Sequence, residues 1–357
     1  MKTAIIGLPM VGKSSLFTIL TGVHESARVG SMEARVGVAK VPDPRLDALA
    51  KVFEPPKITS ATVEYLDCPA VSKESLRDPS YLASLRVVDA FAQVLRLFAS
   101  DTVPHEKGSV DPVRDLQDVD MELIVCDLLV VEKRMERVDK DRKKAKSPEL
   151  DKEFELLSRC KATLESDQPL RNMELSGEDE KRIRGFQFLS LKPMLYVLNV
   201  GEEDAPRLHE MEQEYRAGPL AQRPNTAVSA VCGKIEAELA DLPAAEAREL
   251  MESYGLTESG LERLINSTYT LIGLMSFLTA GETEVRAWTI PQKSTAVKAA
   301  GAIHTDFEKK FIRAEVVNWK HLVEHNGYAG LRGTPLLRLE GKEYIVQDGD
   351  VLVIRHG

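Results

Sequence analysis

The chain has 357 residues, 43% of them hydrophobic and 29% charged, which excludes a disordered or collagen-like polymer and leaves room for two or three domains. Lys and Arg number 47 against 56 Asp and Glu, a formal net charge of -9, so the surface as a whole is not built to coat nucleic acid, although a local basic patch stays open. Cys68, Cys126, Cys160 and Cys232 are widely spaced and form no CxxC pair, so reduced thiols in a cytoplasmic setting are expected rather than a zinc site or a disulfide framework. No apolar run approaches the roughly 20 residues that span a bilayer. The apolar start is too short for a signal peptide and reads as a buried strand.

That strand, Ala4 to Ile6, runs into Gly7-Leu8-Pro9-Met10-Val11-Gly12-Lys13-Ser14, which fits GxxxxGK[ST]. Leu16, Phe17, Ile19 and Leu20 then recur at helical spacing, so strand, loop and helix are present in the order the motif needs. Backbone amides of such a loop point inward at phosphate oxygens, and the helix N-terminus adds partial positive charge. The spacing assigns phosphate binding to Leu8 through Ser15, with Lys13 on the β- and γ-phosphates and the Ser14 hydroxyl on Mg²⁺. Thr62 to Asp67 alternates like a half-buried strand, and Asp67 at its end can hold the Mg²⁺ hydration shell. Leu195 to Asn199 and Thr226 to Ala230 read as further buried strands, and ligands of open α/β sheets sit at such carboxyl ends. A doubly wound α/β P-loop NTPase domain is expected.

From about Leu116 to Thr163 the pattern predicts a long helical hairpin, an antiparallel coiled-coil arm. Its seam runs through Leu116, Val119, Leu123, Cys126 and Val130, and through Leu150, Phe154, Leu157 and Leu164, interrupted by Lys161. Ser147-Pro148 marks the turn, preceded by Lys140, Arg142, Lys143, Lys144 and Lys146. This basic tip is either an RNA contact or a solvated helix end. After Gly281, strands are expected at Val285–Ile290, Phe311–Val317, Leu336–Leu339, Tyr344–Val346 and Val351–Ile354, with a helix over Ser294–Gly301, giving a small α+β module. Trp288, Phe307, Phe311, Trp319 and Tyr344 suit its core better than base stacking.

Several longer strings are similar to one family, YchF, the bacterial counterpart of the Obg-like ATPases. They are Gly37 to Asp47, Gly108 to Asp115, Ala280-Gly281, Val285 to Ile290, Ala300 to Lys309, Phe311 to Val316 and Tyr344 to Asp350. The resemblance spans almost the whole chain. It implies a P-loop domain over 1–115 and 186–280, an inserted helical arm over 116–185 and a ubiquitin-like β-grasp (TGS) domain over 281–357. It also implies association with the ribosome or rRNA through the arm and the TGS domain. Ordinary P-loop GTPases read guanine with an Asp in N-K-x-D. Here Asn199-Val200-Gly201-Glu202 stands at that place, with Val200 for the stacking Lys and Glu202 for the Asp. A longer acid cannot keep the same bidentate position, so ATP is expected to be preferred over GTP. Asn199 is expected on the adenine edge, helped by backbone near Val231 and Cys232.

Three departures from the family pattern stand out. Met10 replaces the usual Asn of the loop, and a thioether is a poor ligand for a hard cation, so no K⁺ activation is expected through it. Switch II reads Asp67-Cys68-Pro69-Ala70-Val71, where Ala70 takes the place of a Gly whose N–H meets the γ-phosphate, and Ser72 to Leu82 contains no glycine. A stiff switch should sense the γ-phosphate poorly. Ser31 stands where the family has the switch I Thr and keeps a hydroxyl for Mg²⁺; no other base for orienting water is apparent, a lone His24 being a weak candidate. Two readings follow: a slow ATPase whose nucleotide state controls ribosome docking, or a module that holds nucleotide with little or no hydrolysis. A nucleotide-independent RNA scaffold is a third. No oligomerisation signal is present, so a monomer is expected.

Overall fold

The N-terminal apolar triplet lies in strand β1 (Lys2–Ile6), and the phosphate loop leads into helix α1 (Lys13–Thr21). This computed structural model describes residues 2–24, 34–144, 147–218, 220 and 223–357. Chain order then gives β2 (Arg35–Lys40), the short β3 (Ile58–Thr59), β4 (Thr62–Asp67), β5 (Ala90–Arg96), β6 (Met194–Asn199) and β7 (Thr226–Val231). All but β3 join one sheet in the order β2-β4-β1-β5-β6-β7. β1 is parallel to β4 and to β5, and β5, β6 and β7 continue in parallel. Every residue of β5 and β6 is buried, the pattern of central strands covered on both faces. The register aligns Arg96 with Asn199 and Asn199 with Val231, so β5, β6 and β7 end level, while Asp67 at the end of β4 aligns with Ile5 and through it with Ala92.

The helices up to the hairpin are α1, α2 (Pro44–Phe53), α3 (Pro79–Arg86), α4 (Pro112–Lys144) and α5 (Pro148–Glu165). The hairpin is present as α4 packed on α5, with Ser147 at the N-cap and Pro148 in the first turn, where its missing N–H costs nothing. Its seam is rotated from the expected one. Leu116, Val119 and Leu123 are buried, but the line continues through Ile124, Asp127, Val131 and Val138, with Cys126 only half-buried. The physical reason is that a 3.6-residue helix drifts away from a strict 3.5 repeat. Lys161 does not break the seam: its ammonium meets Glu132 across it at 2.9 Å. At the tip, Arg142 pairs with Asp151 at 2.6 Å, Lys143 with Asp139 at 2.6 Å and Lys144 with Asp141 at 3.6 Å. Its basic charge is thus interleaved with acids, the pattern of a solvated helix end. Lys146 lies outside the described residues.

The chain divides into two compact units, Met1–Val38 with Glu64–Leu271, and Ala39–Val63 with Ile272–Gly357. In the second, β8 (Leu274–Ala280), β9 (Val285–Pro291), β10 (Phe311–Asn318), β11 (Arg338–Glu340) and β12 (Asp350–His356) form a sheet ordered β11-β10-β12-β8-β9-β3. Strand β8, which the sequence reading left with the nucleotide domain, is central here. Tyr344–Val346 is not a strand; Ile345 makes only an isolated bridge to Thr295. The helix Ala296–Ile303 sets Ala296, Ala299 and Ala300 into a core with Phe277, Phe311 and Val316, and Trp288, Phe307 and Tyr344 pack around it. α2 joins this unit: Asp43 caps it, and Arg45 bridges Asp43 to Asp348 at 2.7 Å.

In the first unit a buried charge network ties the hairpin to the sheet. Asp120 of α4 accepts from Arg171, whose side chain has no exposed surface, and from Arg223 at 2.7 Å, which also reaches the Tyr196 hydroxyl of β6 at 3.2 Å. Asp120→Ala would leave both guanidinium groups without their shared anion. It is expected to cost about 3–5 kcal/mol of unfolding free energy in urea denaturation; a change below about 1 kcal/mol would show the network to be dispensable.

Candidate functional site

The site grows from the carboxyl end of β1. Gly7 adopts φ 143°, and a Cβ there would meet the Val94 carbonyl of β5 at 2.7 Å, so only glycine lets the loop pass this close. Gly12, at φ 99°, precedes α1, and a Cβ on it would sit 2.4 Å from the Asn199 side-chain nitrogen. α1 has no side-chain N-cap and no acid in its first turn. Its leading N–H groups therefore stay available for an anion. The loop's acceptors are engaged instead: the Lys13 ammonium donates to the Leu8 carbonyl at 2.6 Å, and Asn199 Nδ2 donates to the Val11 carbonyl at 2.9 Å. Burial holds the Lys13 pKa down at about 8, against the attraction of Asp67. Ser14 and Ser15 are exposed.

Asp67, at the end of β4, is 6% exposed. Its Oδ2 accepts from two nitrogens of Arg35, Nε at 3.2 Å and an Nη closer still, while its Oδ1 is buried with no hydrogen-bond partner. That orphaned oxygen and the open Ser14 hydroxyl are of the chemistry that suits a hydrated divalent cation. Ser31 lies outside the described residues, as does the rest of 25–33. Beyond Asp67 the switch segment is tied at several points. The Tyr81 hydroxyl donates to the Pro69 carbonyl at 2.9 Å, Ser75 Oγ to the Ala70 carbonyl at 3.0 Å, and the Val71 N–H to the Gly7 carbonyl at 3.3 Å. Leu8 and Pro9 line a cavity of about 480 Å³ with Val71, Met121 and Val125 on its other walls.

A second pocket, about 590 Å³, opens beside Gly12 and Ser15 and takes in Asn199, Val200, Glu202 and Cys232. Val231 does not line it; its carbonyl accepts from the Val200 N–H at 2.9 Å and supports the rim. Asn199 lines this pocket and braces two loops, Nδ2 donating to the Val11 carbonyl and Oδ1 accepting from the Gly233 N–H at 3.2 Å, which leaves one N–H and one lone pair of its amide uncommitted. Glu202 is likewise engaged, with Lys234 at 2.5 Å and the Tyr254 hydroxyl at 3.4 Å. The sequence reading missed Phe98, Lys234 and Arg35. Phe98 offers a ring wall to the pocket, with the buried Arg96 guanidinium 4.4 Å from its centroid and donating to the carbonyls of Phe98 and Val103 at 3.1 and 2.8 Å. Recognising Ala90–Leu95, apolar but for Gln93, as a strand would have placed Phe98 just beyond a carboxyl end.

Among the described residues no group of three or more His, Cys, Asp or Glu is placed to hold a metal. A parallel sheet whose first strand opens into a glycine-turned, uncapped amide loop defines a P-loop NTPase fold. The Ribosome-binding ATPase YchF of Bacillus subtilis (strain 168) is 40% identical over 362 residues, 99% of each chain, and that of Escherichia coli O157:H7 is 39% identical over 363 residues, 98% of each. The Schizosaccharomyces pombe YchF GTPase has a structure similar to this one, with a TM-score of 0.85 at 28% identity, covering 99% of this chain and 97% of that one. Residues 274–357 match a family described as YchF-GTPase_C, protein of unknown function. The chain belongs to the YchF family.

Met10 is 61% exposed and holds a left-handed φ of 60°, where a side chain other than Asn or Gly is strained. Met10→Asn is expected to raise the unfolding free energy by about 1 kcal/mol in urea denaturation. A fall in stability would mean that contacts of the thioether outweigh the backbone strain.

Proposed function

We propose that this chain binds ATP in preference to GTP, hydrolyses it slowly, and docks on the ribosome in a nucleotide-dependent way. The observation that carries the reading is the uncapped amide loop with Lys13 bent back beside it, next to a pocket of base size. Lys13 would leave the Leu8 carbonyl for the phosphates and stabilise their charge, as the loop amides do. Ser14 and Asp67, with Ser31 as the switch I candidate, would hold Mg²⁺, which when bound neutralises charge between the β- and γ-phosphates. The base would lie against Phe98 and Val200. With the Glu202 carboxylate already paired to Lys234, guanine's N1–H and amine find no free acid there, which favours adenine. The backbone N–H groups between Leu8 and Ser15, Pro9 having none, would contact phosphate together with the Lys13 ammonium, and the Met10 thioether, a poor ligand for a hard cation, is not expected to bring K⁺ into play.

Ribosome association rests on the names of the relatives, which are ribosome-binding ATPases, and a cytoplasmic monomer fits that role. The arm and the C-terminal unit are the candidate contact regions, the latter as a TGS domain. A second reading, nucleotide binding with little hydrolysis, draws support from the switch segment held by Tyr81, Ser75 and Gly7.

Calorimetry and phosphate release, with and without ribosomes, separate the readings. The wild type is expected to bind ATP about tenfold or more tighter than GTP. Lys13→Ala is expected to weaken ATP binding about 10- to 100-fold, the loss of one charge-assisted phosphate contact, and to abolish phosphate release. Equal, negligible release from both proteins with ATP binding intact would favour the second reading. GTP binding as tight as ATP would overturn the base assignment.

The Lys13 pKa adds a pH signature. In the free protein the ammonium loses its proton near pH 8, and bound phosphate favours the charged form, so ATP binding takes up a proton above that pH. Affinity should be flat below pH 8 and fall by up to about tenfold per unit above it. Calorimetry at pH 8.5 in buffers of differing ionisation enthalpy reads the uptake; a pH-independent affinity between 7 and 9 would exclude it.

A further inference from the structure

Asp67 is claimed by a cation of the protein itself. Arg35 begins β2, the edge strand beside β4, and presents Nε and an Nη to Asp67 Oδ2. The guanidinium also lies over the Phe17 ring of α1, 4.9 Å from its centroid, so the arginine is packed as well as paired. The two side chains are 16% and 6% exposed, which removes most of the screening that weakens surface pairs. Lys13 feels the same carboxylate. One anion thus serves two cations before any metal arrives.

We propose that Arg35 is a competitor of Mg²⁺ at Asp67 and sets how strongly nucleotide binding depends on that metal. The inference rests on the reading that Asp67 helps to hold Mg²⁺. A guanidinium does not lose its proton in a protein, so the conflict between it and a dication cannot be relieved by titration. It is relieved only when the pair opens. Opening is local, because Arg35 is the first residue of an edge strand and its side chain can turn without parting the sheet. While the pair is closed, Oδ1 is the Asp67 oxygen left without a hydrogen-bond partner. Mg²⁺ and Arg35 therefore weaken one another at this site, a coupling that is reciprocal by linkage. The protein should bind metal-free nucleotide with Arg35 still on Asp67, and should need a higher Mg²⁺ concentration to reach its tight state than the same protein without the arginine.

The test is calorimetric ATP binding by the full chain across a Mg²⁺ series that starts from excess chelator, for the wild type, Arg35→Gln and Arg35→Lys. The half-saturating Mg²⁺ concentration is expected to fall about fivefold or more in Arg35→Gln, the lower range of such couplings. Arg35→Lys, which keeps the charge but loses the two-nitrogen contact and the packing on Phe17, is expected to fall in between. An unchanged half-saturating concentration in both variants overturns the proposal. So does a rise, which would make Arg35 a builder of the metal site. If Arg35→Gln fails to fold, as a thermal melt without ligand would reveal, Arg35→Lys alone carries the comparison on the same criterion. Wild-type protein that binds no ATP at any Mg²⁺ level sinks the parent reading too, whereas tight ATP binding with identical Mg²⁺ dependence in all three proteins sinks this inference alone.

Discussion

The structure of the nucleotide-domain site depends on how the loop between β1 and α1 disposes of its backbone polar groups. Its carbonyls are taken up from within, Leu8 by Lys13 and Val11 by Asn199, while the leading N–H groups of α1 have no side-chain cap. A turn whose acceptors are engaged from within while its helix-leading donors carry no side-chain cap is disposed to receive an anion. The two glycines serve that disposition through space, since Gly7 passes against a carbonyl of β5 and Gly12 against the Asn199 amide. The parallel sheet does the rest by bringing Arg96, Asn199 and Val231 level at its carboxyl end, with Asp67 ending its strand level with Ile5 and Ala92.

The same site shows how much of its chemistry is spent on itself. Lys13, Arg35 and Lys234 are positive, yet each has a partner: a carbonyl for Lys13, and the acids Asp67 and Glu202 for the other two. On a chain of net charge -9 this is a local arrangement rather than a basic face. For Lys13 and for the Arg35–Asp67 pair, pairing lowers the cost of holding charge at low solvent exposure, whereas Lys234 and Glu202 pair at the surface; in each case a ligand group would compete with an existing bond. On the proposed reading, a metal or base would have to replace one of these internal bonds, so the engaged state of Glu202 and Asp67 says more than their residue types.

Much of the framework was legible along the chain. The phosphate loop is a contiguous string whose strand and helix flank it, so local spacing suffices. β4, β6, β7 and most of the C-terminal strands carried clear apolar runs, and the hairpin carried its turn in Ser147-Pro148. Other features were hidden. β5 includes Gln93 and Arg96, buried polar residues that break an apolar pattern and make sense only once Gln93 reaches the Asp115 carbonyl and Arg96 wraps the loop of Phe98 and Val103. Tyr344–Val346 looked like a strand, but the chain there makes a turn closed by Asp350, which accepts from Gln347 N–H and the Tyr344 hydroxyl. Beyond Leu123 the expected seam of α4 was only partly right, Val130 packing against the hairpin core while the fully buried line runs through Ile124, Asp127, Val131 and Val138, because a heptad template does not follow the true helical repeat.

Family membership and the phosphate loop were determined by the sequence itself, because a loop that binds with its backbone needs only glycine turns, a lysine and a hydroxyl at short fixed spacing. The partners of Asn199, Glu202 and Asp67 were decided by the tertiary structure. Arg35 and Asp67 meet across the edge of a sheet, Glu202 and Lys234 across a pocket mouth, and Asn199 reaches a loop far behind it in the chain. A hydrogen-bonding group's residue type states what it is able to bind; only the fold settles which competitor for that bond stands within 3 Å.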